Sequence, residues 1–257
     1  MSLWTAFPHP GAYAFDAAST ALGWTRLHQG DSEPLPADTS LLDAWALFHN
    51  GEFQKAAAAG LALGGAGLTL ANKATCIYAT YLEPFERLRL DLFLEVAARA
   101  EAQAQEDPQN ANAWYWHAYA LSRYSQGISV AKALAQGLGG KVKESLERTI
   151  RLEPKHAGAH IALGAFHAEV IDKVGALIGS MTYGVRKDVG LKLLQEALNL
   201  TPGAAIAMVE YANALLMLDG QQRLAEATRL YEQAATAAPL DAMEHLDADL
   251  ARSELDG

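Results

Sequence analysis

The chain has 257 residues, of which 51% are hydrophobic, and a formal net charge of −10 at neutral pH. This acidity argues against a general nucleic-acid binder, whose surface needs a basic footprint. No apolar run approaches 18 residues, so we expect no transmembrane helix. The N-terminus has no basic stretch followed by an apolar one, so we expect no secretory signal. A single cysteine, Cys76, allows no intrachain disulfide and favours a cytoplasmic location.

Helices are predicted along nearly the whole chain. Alanine, the best helix former, supplies 51 residues, and this richness favours a bacterial source. Before the better-marked part of the chain we predict helices over residues 14–28, 40–50, 52–63, 69–82 and 84–106. Residues 1–38 are interpreted as an N-terminal helix and a proline-rich linker that pack on a helical array over residues 39–240. Residues 241–257 carry many charged side chains, which suit the exposed end of an array. They are predicted to form a C-terminal capping helix.

Prolines mark the ends of similar sequence segments along the array. An apolar helix, a short polar tail and a proline recur at intervals of 46, 48 and 37 residues, at Pro108, Pro154, Pro202 and Pro239. Such a period is typical of helical repeats, because each unit must stack on its neighbours to bury its apolar face.

Residues at fixed offsets from these prolines resemble the tetratricopeptide repeat (TPR). Leu163-Gly164 follows Pro154 where the first helix of a unit carries Leu-Gly, and His117-Ala118 and Tyr211-Ala212 stand at the equivalent positions. The second helix is represented by two groups of residues: Leu194 and Ala197, then Ala227, Tyr231 and Ala234. The resemblance implies an all-α, TPR-like α-α superhelix, that is, a solenoid of antiparallel helix pairs.

Two neighbouring units carry insertions of 12 and 14 residues between their two helices. Both inserts are apolar with a lysine and spaced glycines, and we predict two helix-hairpin insertions. Together with Trp114-Tyr115, Gly127-Ile128, Ala131-Lys132 and the ending Glu147 to Pro154, this arrangement resembles the regulator of microtubule dynamics family over about residues 95 to 240. That resemblance implies a TPR-like fold without catalytic machinery.

The concave groove is the default binding site that the TPR resemblance implies. The groove positions of the first helices lead to a candidate partner-binding set: Asn112, Tyr115, Tyr119, Arg123 and Asn213. Two tyrosines and an arginine followed by an apolar floor suit a protein or peptide with apolar anchors. The alternative is that the inserts or the N-terminal helix already fill the groove.

The inserts suggest a second kind of site. Residues 125–143 contain three lysines and no acid, and a further lysine opens the second insert, which gives a possible anion-binding rim of Lys132, Lys141, Lys143 and Lys173. A small anionic ligand or metabolite bound near the inserts is therefore the alternative function. If no ligand binds there, the lysines only face the solvent along the edge of the solenoid. In that case Leu134, Leu138, Leu177 and Ile178 pack the inserts against each other.

The remaining motifs favour a structural role over a ligand-binding, metal-binding or catalytic one. Gly137 to Lys141 resembles a phosphate loop but fails its spacing, lacks the Ser/Thr and follows no strand. His156 and His160 have metal-pair spacing, and His117 and His167 hold repeat positions, yet these positions favour hydrogen-bonded interior histidines. We predict no metal, no cofactor and no enzymatic activity, since no nucleophile elbow or metalloprotease motif is present.

Overall fold

The computed structural model describes residues 4–256 of the chain, and within that range it contains helices and no strand. Polar residues precede several of the helices as N-caps. The Asp16 side chain, for example, accepts a hydrogen bond from the backbone N–H of Ser19. The first helix therefore begins at Ala17 and not, as predicted, at Ala14. The α-helices, in chain order, are α1 (Ala17–Leu27), α2 (Thr39–His49), α3 (Phe53–Leu63), α4 (Gly67–Tyr81), α5 (Glu86–Glu106), α6 (Ala111–Gln126), α7 (Val130–Ala135), α8 (Leu138–Leu152), α9 (Ala157–Val174), α10 (Ala176–Tyr183), α11 (Lys187–Leu200), α12 (Ala205–Asp219), α13 (Leu224–Ala235) and α14 (Ala242–Asp256), with a 3-10 turn at Gly220–Arg223.

The described residues form two compact units. The first unit comprises residues 4–28, 32–153 and 241–243. In it each helix from α1 to α5 packs against the next one along the chain, and α8 packs against α6. The second unit comprises residues 29–31, 154–240 and 244–256. Here α11 and α12 both pack against α9, and α13 packs against α12.

The prediction that each of the four prolines lies just past the end of a helix is confirmed. The helices before the four prolines end a few residues earlier, α5 at Glu106, α8 at Leu152, α11 at Leu200 and α13 at Ala235. Proline lacks a backbone N–H and restricts the residue before it, which explains why no helix continues through these positions.

Residues at the repeat offsets form the core. Leu194 and Ala197 on α11 are buried, as are Ala227, Tyr231 and Ala234 on α13. In the first unit a glycine pair sets the closest approach: a Cβ atom on Gly60 of α3 would lie 2.5 Å from the carbonyl oxygen of Gly67 on α4. These two glycines therefore allow α3 and α4 to touch.

Each insert contains one short helix, α7 in the first unit and α10 in the second. Gly179 is the buried residue of α10, and a Cβ atom there would lie 2.8 Å from Val185. Leu177, Ile178 and Met181 are exposed on the same helix. Among the helices of residues 4–256, none combines the length and the hydropathy that a membrane crossing needs.

Candidate functional site

Helix α6 carries four of the five residues predicted to bind a partner. Asn112, Tyr115, Tyr119 and Arg123, which we call the α6 face, follow one another at helical spacing. Asn112 and Tyr115 are buried, whereas Tyr119 and Arg123 are half-buried. The part of this face that can meet a partner is therefore its C-terminal half.

Tyr119 and Arg123 form a small composite surface. The guanidinium carbon of Arg123 lies 5.3 Å from the centre of the Tyr119 ring, within the range of a cation–π contact. The Tyr119 hydroxyl is 3.0 Å from the Thr80 hydroxyl on α4. Arg123 also donates a hydrogen bond of 3.3 Å to the side chain of Gln126. These contacts hold an aromatic ring and a guanidinium side by side.

Burial raises the pKa of the Tyr119 hydroxyl, and the nearby charge of Arg123 opposes this effect. The phenol is therefore neutral at physiological pH, and its hydroxyl is already hydrogen-bonded to Thr80. Arg123 supplies a permanent positive charge at the same place. A partner with a carboxylate or carbonyl beside an apolar group would match this pair of groups.

The N-terminal half of the α6 face is already occupied from within the first unit. The Asn112 side-chain amide donates a hydrogen bond of 2.6 Å to the carboxylate of Glu33, in the proline-rich linker. The indole of Trp24 on α1 donates to the backbone carbonyl of the same Glu33, at 2.7 Å. The linker thus covers the end of the face where Asn112 lies.

Asn213, the predicted residue of the second unit, lies half-buried on α12. Its side-chain oxygen accepts a hydrogen bond from the hydroxyl of Tyr231 on α13. This contact joins the two helices of one repeat. Asn213 therefore has a structural partner in addition to the predicted binding role.

The lysines of the proposed anion rim differ in their surroundings. In the first unit, Lys143 is 3.3 Å from Glu147, and Lys132 lies 5.7 Å from the centre of the Tyr124 ring. Lys141 is exposed. In the second unit, Lys173 is 3.6 Å from Glu169. Two of the four positive charges are therefore already paired with a glutamate on their own helix.

The apolar residues of the inserts differ in burial. Of the four residues that the ligand-free alternative places in contact between the inserts, Leu138 alone is buried, while Leu134, Leu177 and Ile178 are exposed.

The histidines with repeat or metal-pair spacing have hydrogen-bonding partners from the protein. Nδ1 of His117 is 2.9 Å from the Ser145 hydroxyl, and Nδ1 of His156 accepts from the backbone N–H of Ala159. Nε2 of His160 is 2.9 Å from the carbonyl oxygen of Pro154. His167 is bonded to the backbone of Arg186. Burial lowers the pKa of His117, which favours its neutral form.

Two contacts of the site could not be found from repeat offsets. Thr80 reaches Tyr119 from the preceding repeat, and Glu33 reaches Asn112 from a linker with no repeat pattern. The only sequence signal for the second contact is the proline-marked linker itself.

Comparisons with known proteins support the fold. A crystal structure of a thermophilic TPR protein from Thermus thermophilus matches with a TM-score of 0.58 and 17% sequence identity, over 83% of this chain and 97% of that one. No family model matches the chain, and no curated protein matches it either. The fold is thus all-α and TPR-like.

Proposed function

We propose that the protein is a non-enzymatic interaction or scaffold protein that binds a protein or peptide partner through the half-buried C-terminal half of the α6 face. The observation that carries this proposal is the pairing of Tyr119 with Arg123. Aromatic and arginine side chains that are rigidly held and only partly exposed are the residues that dominate binding energy at protein interfaces. The TPR-like fold supports the proposal, because helical repeat proteins use extended helix faces for binding.

The nature of the partner follows from the chemistry of the pair. An apolar side chain would stack on the exposed part of the Tyr119 ring. A carboxylate or backbone carbonyl of the partner would accept hydrogen bonds from Arg123, whose planar guanidinium carries five donors. We therefore expect an acidic or carbonyl group next to an apolar anchor in the partner.

Two finer assignments belong to the same proposal. The buried free thiol of Cys76 is compatible with a reducing compartment, and we propose the cytoplasm of a bacterium. The resemblance of residues 95–240 to the regulator of microtubule dynamics proteins is a proposal supported by its motif residues alone.

Quantitative affinity capture tests the function. The wild-type protein, Arg123→Ala and Arg87→Ala are immobilised and exposed to a lysate of the native host. Arg87 is an exposed arginine on α5 and serves as the matched control. We expect one set of proteins to be captured by wild type and by Arg87→Ala and to be lost with Arg123→Ala. Identical capture by all three proteins would contradict the proposal.

A further inference from the structure

Residues 4–15, called the N-terminal segment below, lie against the first unit without forming a helix or a strand. Among the contacts of the segment are hydrogen bonds and ring contacts with α2, α3, α4 and the turn between α2 and α3. All of these elements belong to the first unit. The segment is therefore an irregular stretch of chain bound on a helical surface.

Side chains of the helical surface bind the backbone of the segment. Asn50 uses both ends of its amide: its oxygen accepts from the N–H of Phe15 at 2.7 Å, and its nitrogen donates to the carbonyl of Phe15 at 2.9 Å. An asparagine amide can satisfy the donor and the acceptor of one residue in this way whatever that residue's side chain. Asn50 therefore binds main chain rather than a particular amino acid.

Two more backbone contacts lie at the other end of the segment. The N–H of Trp4 donates to the side-chain oxygen of Gln54 at 3.2 Å, and the N–H of Thr5 donates to the Tyr78 hydroxyl at 3.3 Å. The Tyr78 hydroxyl in turn donates to Glu83 at 2.7 Å, which fixes its position. Both ends of the segment are thus bound by side chains of the helical surface.

Two aromatic side chains of the segment occupy defined places. The Trp4 ring stacks on Tyr78 with a centroid distance of 4.1 Å and an interplanar angle of 9°. Phe7 is buried and meets the edge of Phe53 at 6.3 Å. A Cβ atom on Gly51 would lie 2.6 Å from Phe7, and Gly51 has a φ of +83°, so a glycine is needed to form this pocket.

The surface continues beyond its present occupant. A depression of about 470 Å³ adjoins Phe15 and Asn50 and is lined on α2 by Ser40, Asp43 and Leu47. A chain that follows the course of the segment past Phe15 would have room at this place.

We propose that the surface formed by α2, α3 and α4 is a peptide-binding site, and that the N-terminal segment occupies it as an exchangeable internal ligand. The partner that fits is an extended peptide with a tryptophan and, three residues later, a phenylalanine, as at Trp4 and Phe7. Because the internal segment is tethered, its effective concentration is high, so an external peptide binds weakly until the segment is displaced. This site is separate from the α6 face, and its test does not depend on the function proposed above.

The test uses the full chain with the double substitution Trp4→Ala and Phe7→Ala, which weakens the internal ligand and leaves the surface intact. The probe is a fluorescent peptide with the sequence of residues 4–16. We expect it to bind the double variant at least about tenfold more tightly than the wild-type protein. A control peptide with alanine in place of both aromatic residues should not bind. Absence of binding to a helical double variant, or equal binding of the control peptide, would overturn the proposal.

Substitutions on the surface itself add a second readout. In the double variant, Asn50→Asp keeps the acceptor for the Phe15 N–H but loses the donor to its carbonyl, and Gly51→Ala fills the pocket of Phe7. Both should weaken binding of the probe peptide by about tenfold or more, as expected for loss of a contact made by a buried anchor. Unchanged affinity in both would contradict the assignment of the site.

If the double variant does not fold, hydrogen exchange of the wild-type protein tests whether the probe peptide displaces the N-terminal segment. The wild-type protein is measured with and without a large excess of the probe peptide. Displacement predicts faster exchange of the amides of Trp4, Thr5 and Phe15, with no change in the interior of α6. Exchange of these three amides that does not respond to the peptide would overturn the proposal.

Discussion

Gly164 on α9 and Gly190 on α11 face each other where the two helices meet. A Cβ atom on Gly164 would lie 2.9 Å from the carbonyl oxygen of Gly190, and one on Gly190 would lie 3.2 Å from the carbonyl oxygen of Gly164. The same atom on Gly164 would come within 2.6 Å of Leu194. The glycine that the repeat pattern places at this point thus meets a second glycine that the pattern does not specify.

Substitution Gly164→Ala should therefore destabilise the second unit. The added methyl group has no room against α11, and overpacking of this kind costs about 1–3 kcal/mol. Urea unfolding monitored by circular dichroism measures the change. Gly140→Ala is the matched control, since Gly140 lies in α8 with open space around its Cα, and it should be neutral or stabilising by about 0.4–1 kcal/mol. Equal stability of the two variants would contradict the close approach of α9 and α11.

A buried pair fixes the start of the C-terminal helix. Asp241, just before α14, has a carboxylate oxygen 2.7 Å from Nδ1 of His49 on α2, and both side chains are buried. Asp241→Ala leaves this ring nitrogen without its acceptor, which should lower the free energy of unfolding by about 1–3 kcal/mol. The control is Asp188→Ala, which removes an exposed ion pair with Arg186 and should change stability by no more than about 1 kcal/mol. A loss of similar size in both variants would show that the buried pair has no special role.

Tyr231 should make stability depend on alkaline pH. Burial, together with the carboxylates of Glu254 and Glu210, raises the pKa of Tyr231 to about 12 from the ordinary value of 10. Below the unfolded pKa the phenol is neutral in both states, so its contribution is fully present. As the pH rises through the interval between these two values, the unfolded state loses its proton first and the contribution is lost.

Comparison with Tyr231→Phe isolates this effect, because phenylalanine does not ionise. We expect the free energy of unfolding to fall more for wild type than for the variant between about pH 9 and about pH 11, where tyrosine titrates. Urea unfolding at the two pH values provides the measurement. Parallel losses in both proteins would mean that the Tyr231 pKa is not raised in the folded state.

The sequence predicted the helical architecture well because its signals are local. Prolines and polar N-caps act within one turn of helix, so the ends of α5, α8 and α11 follow from Pro108, Pro154 and Pro202. The burial of repeat positions such as Ala197 and Ala227 follows from the same periodicity.

The candidate site was harder to predict because its decisive contacts are between distant residues. Helical spacing placed Tyr115, Tyr119 and Arg123 on one side of α6, but it could not show that Tyr115 is buried. The hydrogen bond between Glu33 and Asn112 joins residues far apart in the chain, and so does that between Asn50 and Phe15. Neither contact leaves a periodic pattern, since both arise from irregular chain lying on helices.

The proposed binding of a protein or peptide partner by Tyr119 and Arg123 can be tested with the affinity for a selected peptide. Peptides are selected from a random display library on the wild-type protein, and the dissociation constant of the best one is measured by calorimetry for wild type, Arg123→Ala, Tyr119→Ala and Arg87→Ala. We expect a loss of affinity of at least about tenfold with each of the two α6 substitutions, as for an interface anchor, and no change with Arg87→Ala. A selected peptide whose affinity is unaffected by both α6 substitutions would contradict the proposed binding.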